Sequence, residues 1–360
     1  MGLTVSAEEL FQDRLMRQRE ANLLLKWGAD LTAKCAVLFG ISALQTLLFS
    51  ICATVILELP GHFLGYAFTL FSVAASANLF GLIISLLFNS VRVIYLAIPL
   101  FIIPQLMLGG AIVPFHSMHP GIAKKVGVPW PAQTMISRWG FEALTTMYAA
   151  DNAFTSPLFG ADQDMAQAEF LRDRWVPEMK RQVDLAEDGN ANAIAVLARG
   201  FQRHHLATSI DVADGVNSEE ALFLARQLDG FRNRQRDAWL KAKAERDSIL
   251  NDQGWGNPAS AKAIKQGELN HALEGWTTGA DILSTGFALD YDDIHNTRDA
   301  LYAHPQLPGS GPFHSARSWM GYVVPKWTAN WTVLWISTLI MMAGLVIWGT
   351  LRPQGRPRRT

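Results

Sequence analysis

At 360 residues and a formal net charge of −1, the chain has no basic excess that would recruit nucleic acid, and no such partner is expected. Hydrophobic residues make up 49% of it and the mean hydropathy is +0.11, yet charge concentrates in the opening thirty residues and between about 150 and 325. That separation excludes an ordinary soluble globule and describes an integral membrane protein carrying one sizeable water-soluble domain.

Residues 6–34 read as an amphipathic helix along the cytoplasmic face, opened by a Ser6–Glu9 capping-box pattern. Its apolar residues Leu10, Leu15, Leu24, Leu25, Trp27 and Leu31 alternate with charges. Four uncharged segments then reach spanning length, roughly Ala36–Leu57, Phe63–Phe88, Val93–Phe115 and Ala329–Leu351. The third is unusual. Pro99, Pro104, the Gly109-Gly110 pair and Pro114 interrupt it, and broken backbone at membrane depth needs protein or a water-filled cavity to cover it. Such interruptions are typical of proteins that move solutes.

Charge next to the spans sets the expected topology. The tail RPQGRPRRT and the approach residues Arg14, Arg17, Arg19, Lys26 and Lys34 place both termini inside. The stretch of about 200 residues between spans three and four is then extracytoplasmic. Here a helix opened by an Asn217–Glu220 capping box, with Val216 as staple, runs to about Leu250. Further helices are expected at 165–187, 190–206, 258–275 and 290–303. Few runs alternate at period two, so this domain reads as all-helical. The expected organisation is a cytoplasmic helix at 1–34, three spans and a re-entrant hairpin at 35–120, and a helical extracytoplasmic domain at 121–325. A last span at 326–351 and a basic tail at 352–360 complete it. The fold class is thus an all-α membrane protein: four transmembrane helices with a large insertion between the last two.

No GxxxxGK[ST] phosphate loop occurs, so the chain does not bind ATP in that manner. Nor do HExxH, CxxC or GxSxG, and no catalytic residue or metal site is expected. Cys35 and Cys52 fall in or beside the first span, leaving the outer domain without a disulfide. The Asp290, Asp292, Asp293 and His295 cluster lacks calcium-loop spacing and reads as a helix N-terminus or solvated face. His204-His205 reads as a surface pair. Gln45, Asn78 and Gln105, polar groups inside the spans, either hydrogen-bond between helices or line a translocation path.

The segment LGGAIVPFHSMHP…ISRWGFEALTTMYAAD resembles the end of the fifth span and following outer helix of ABCG-type (white-like) ABC exporter permeases, bacterial branch. Its most specific part is Ser137, Arg138, Trp139, Phe141, Glu142, Ala143 and Leu144. DRLMRQREANLLLKWGADLTAKCAVLFGISALQTLLF resembles their coupling helix and third span, and EFLRDRWVPEMKRQVD their outer domain. The resemblance covers the last four of six spans. It implies an ATPase, with its ATP and magnesium, on another chain or a preceding region, and a second permease half as partner. It implies contact with the ATPase through Arg14, Arg17, Arg19 and Glu20, and a path past Gln45, Asn78 and Gln105. Gly109, Gly110, Pro114 and His116 would form the outer gate, braced by the helix of Arg138, Phe141 and Glu142. The expected function is the permease part of an alternating-access exporter, not an enzyme, in a bacterial inner membrane. The competing reading is a membrane-anchored extracytoplasmic interaction or sensor protein.

Overall fold

The structure, a computed structural model, describes residues 2–12, 27–57, 59, 61–88, 90–113, 115, 118, 119, 128–206, 216–269, 275, 287–290, 293–296, 300–302, 313–319 and 322–351. In chain order the helices are α1 (Gly2–Gln12), α2 (Trp27–Leu57), α3 (Phe63–Leu87), α4 (Val91–Met107) and α5 (Ile136–Ala150). Next come α6 (Thr155–Phe170), α7 (Val176–Glu187), α8 (Ala191–Arg203), α9 (Ser218–Asp252) and α10 (Pro258–Glu268). Strands β1 (Phe287–Asp290), β2 (Asp293–Asn296), β3 (Ala316–Trp319) and β4 (Tyr322–Pro325) precede the final helix α11 (Lys326–Leu351). The chain divides into two compact units. One comprises Met1–Met118, Pro129–Met147 and Lys326–Thr360; the other comprises His119–Val128 and Tyr148–Pro325. Residues 129–147, expected in the outer domain, therefore group with the apolar helices.

In the first unit α2, α3 and α11 are long and apolar enough to cross a membrane. Helix α4, expected to continue to Phe115, stops at Met107 after 17 residues. At 1.5 Å per residue it reaches only about 25 Å, short of a bilayer core of about 30 Å. Helix α3 is the central pillar, and its buried face is a stripe of small polar residues whose hydroxyls are taken up by neighbours. The indole N–H groups of Trp331 and Trp335 donate to Thr69 (2.8 Å) and Ser72 (3.1 Å), and Ser76 pairs with Thr338 at 2.6 Å. The partners advance together along both helices, so α3 and α11 run parallel. At the other end, Trp27 donates to the Leu345 carbonyl and lies over Gly349, which puts the start of α2 beside the end of α11.

Helix α1 departs from expectation. Its Ser6 is not a cap, because the helix already begins at Gly2; its hydroxyl donates to the Gly2 and Leu3 carbonyls. Nor does this segment lie exposed. Ser6, Ala7 and Leu10 are fully buried, and the Phe11 N–H donates to Ser85 of α3 at 2.9 Å. Glu9 pairs with Lys34 of α2 at 3.4 Å. The approach is possible because position 81 has no side chain: a Cβ there would strike Ser6 Oγ and the Leu3 carbonyl.

The second unit is a helical cluster around Trp175, Met179, Leu197, Phe201, Leu224, Leu228 and Phe231. Helix α9 begins as expected, with Asn217 accepting from the Glu220 N–H and Glu220 from the Asn217 N–H, both at 2.9 Å. The helix expected at 165–187 begins earlier, at Thr155, and widens into a π turn over Leu171–Trp175, where the Val176 N–H reaches the Leu171 carbonyl. Pro177 supplies the reason, since its ring opposes the ordinary helical position of the Asp173 carbonyl. Helix α10 ends at Glu268, short of the expected 275. Two further expectations are corrected. The described residues of 290–303 form not a helix but strand β2, paired antiparallel with β1 through Leu289 and Ile294, and a short 3-10 turn at Ala300–Tyr302. His205 is exposed as expected, but His204 is half-buried, its ring 4.6 Å from Trp175 and 5.4 Å from Phe231.

Gly81→Leu should force α1 off α3, at a cost of about 1–3 kcal/mol. The check is maleimide labelling of Ala7→Cys in a background lacking Cys35 and Cys52: protected with Gly81 present, reactive once Leu replaces it.

Candidate functional site

The short apolar helix α4 precedes α5 in the chain. After Met107 the chain turns through Gly109 and Gly110, both buried, with Gly110 at φ +83° and the Phe115 ring packed where a Cβ would stand. Only glycine adopts that conformation without strain. Gln105 reaches across the break, its side-chain carbonyl accepting from the Ser137 N–H at 3.0 Å. The Ser137 hydroxyl returns a 2.5 Å bond to the Gln105 backbone. These bonds satisfy an otherwise orphaned donor in the first turn of α5.

From there α5 runs antiparallel to the first part of α3. Gly140 faces Val73, and Gly65 faces Met147, closely enough that a Cβ on either glycine would collide. The polar residues of α5 are buried with it. Arg138 donates through one Nη to Glu142 Oε2 at 2.9 Å and through the other to Gln133 at 2.9 Å, its guanidinium 4.1 Å above the Trp139 ring. Glu142 Oε1 receives the Lys326 ammonium at 3.1 Å, and Asn330 donates to Oε2 at 3.2 Å. The Arg138, Glu142 and Lys326 side chains are 2%, 3% and 0% exposed. One carboxylate thus joins two cations from two segments almost 190 residues apart in the chain.

Of the residues singled out from sequence, the structure brings Arg138 and Glu142 together and ties Gln105, Gly109 and Gly110 to the same joint. Phe141 is partly buried on α5. Asn78 lies elsewhere, donating to Ser42 at 2.8 Å and to the Leu38 carbonyl at 3.4 Å, so it links α3 to α2. Gln45 is exposed on the outer face of α2 among Ile41, Leu44 and Leu48. Gln45, Asn78 and Gln105 therefore do not converge on one path within this chain. Arg14, Arg17, Arg19, Glu20, Pro114 and His116 lie outside the described residues. Lys326 and Asn330 were missed as site residues. The available signal was a lysine opening an apolar helix with an amide one turn later, since ionisable groups at span ends need a partner or an escape to water.

Structurally the cluster is a joint: it ties α5 to the start of α11. Among the described residues no group of three or more His, Cys, Asp or Glu side chains could hold a metal ion.

Residues 2–148 match the family described as ABC-2 type transporter. No curated protein and no solved structure matches the chain. The family match supports an ABC-2 permease, a transporter membrane domain, for α1 through α5. It takes in Gln105, Arg138 and Glu142 and stops before Lys326 and Asn330.

Removing Glu142 should hurt more than removing either cation. Glu142→Gln removes the carboxylate that two buried cations share, a loss of about 3–5 kcal/mol, whereas Lys326→Met leaves the Arg138–Glu142 pair intact and costs less. Thermal unfolding in detergent would rank them. The double variant should recover part of the Glu142→Gln loss.

Proposed function

We propose that this chain is the membrane-spanning part of an ATP-driven exporter of the ABC-2 class. The observation that carries the reading is the overlap of the family match with the apolar helices and with a broken crossing rebuilt by a buried charge cluster. A span needed only as an anchor has no use for such a joint. An interrupted helix braced by neighbours is what a moving path requires.

In this reading the hydrolysing domain belongs to another chain or to a region outside this sequence, and the permease pairs with a second half. The common end formed by the start of α2 and the end of α11 faces the cytoplasm, as the flanking Arg and Lys residues favour. Closure of the ATPase would press on the segment leading into α2 and move α2 against α3 and α11. The turn at Gly109–Gly110 and helix α5 would respond at the opposite end as the outer gate. Alternating access then needs no covalent step on this chain.

The test is capture and response. Tagged protein from its native membranes should bring down an ABC nucleotide-binding subunit or domain, identified by mass spectrometry. ATP with vanadate should then change disulfide trapping between cysteines placed at Trp27 and Gly349. Absence of any such subunit, together with trapping indifferent to nucleotide, would sink the proposal in favour of an anchored interaction protein.

A further inference from the structure

The second unit holds a cleft of about 500 Å³ that the transport reading does not use. One wall is the π turn, which carries Arg172 and Asp173; the other is a stripe of α9 carrying Asp229, Arg232, Arg236 and Trp239. Steps of three and four residues put that stripe on one helix face. Both carboxylates are already committed. Asp173 accepts from Arg172 at 2.8 and 2.6 Å, and Asp229 from Lys180 at 2.7 Å. Arg232 and Arg236, one turn apart and exposed, have no ion pair among the described residues. The Trp239 indole N–H is buried and has no acceptor there, while the Arg172 guanidinium and the Lys243 ammonium flank its ring at 5.5 and 5.3 Å.

What the cleft lacks is an acceptor. Two exposed guanidiniums that make no direct ion pair among the described residues, Arg232 lying near enough to Asp173 to help hold its carboxyl low, and a buried N–H without an acceptor can all serve a group bearing several oxygens. The cations around the indole add to a positive field inside a concave wall, which concentrates anions. We propose that this cleft binds an oxyanion, a phosphate or carboxylate group, held by Arg232 and Arg236 with the Trp239 N–H as third donor. The proposal does not depend on the transport reading, because every residue in it belongs to the second unit.

The experiment uses the full chain purified in neutral detergent, titrated with inorganic phosphate at constant ionic strength and followed by calorimetry. Wild type should bind. Arg232→Gln with Arg236→Gln should weaken binding at least about tenfold, and Trp239→Phe, which keeps the ring, should weaken it several-fold. Arg203→Gln, outside the cleft, should leave binding unchanged. A second arm compares thermal unfolding in nanodiscs of phosphatidylglycerol and phosphatidylcholine. If free phosphate is silent but phosphatidylglycerol stabilises wild type and not the double-arginine variant, the oxyanion is a lipid headgroup. Identical behaviour of wild type and variant in both arms would overturn the site.

Discussion

The first unit depends on one carboxylate. Glu142 stands between Arg138 and Lys326 and pairs with both, and all three are withdrawn from water. Burying three ionised groups carries a penalty of several kcal/mol each, offset only where the geometry saturates the charges. Glu142 meets that condition at both oxygens: one takes the ammonium, and the other takes a guanidinium nitrogen and the Asn330 amide. The cluster therefore fixes where α5 lies against the start of α11. That placement lets α5 take up the run that α4 abandons at Met107. Its specificity is geometric more than energetic, because an apolar triplet could pack as tightly but would not select this angle.

Helix α3 makes the same point with neutral groups. Its hydroxyls at 69, 72 and 76 would be indifferent in water. In an apolar bundle each becomes an address, read by an indole or a hydroxyl of α11. Because these bonds advance in step along both helices, they exclude the antiparallel arrangement and set the bundle's polarity. The glycines act with them. Positions 65, 81 and 140 allow backbones to approach, as small residues do where lipid gives no hydrophobic drive to association.

Much of this was legible in the residues. The apolar runs at α2, α3 and α11 declare themselves by length, and Asn217–Glu220 marks the start of α9 by a bond between neighbours. The Ser137–Leu144 helix was readable too, and Arg138 and Glu142 at four-residue spacing announced their own pair. The failures share one cause. Ser6 has the look of a cap, but the helix starts four residues earlier because α1 is stabilised by α3 and not by its own terminus. The hairpin at Phe287–Asn296 has strands of four residues, too short for alternation to emerge. His204 beside His205 looks fully solvated, yet Trp175 and Phe231, from two other segments, pack against its ring and leave it half-buried. Gln45 and Asn78 carry equal polarity in equal surroundings. Only the neighbours tell that one faces outward and the other a partner helix.

The sequence by itself therefore determined which segments are apolar, where α9 is capped, and where the third apolar run is interrupted. These are one-dimensional properties: runs, spacings and locally satisfied bonds. Tertiary structure alone decided that α1 is buried, that α3 and α11 run parallel, and that Lys326 reaches Glu142 from the far side of the second unit's sequence. Each of those is a pairing between residues distant in the chain. Its energy comes from desolvation that no single segment undergoes on its own, so no local pattern records it.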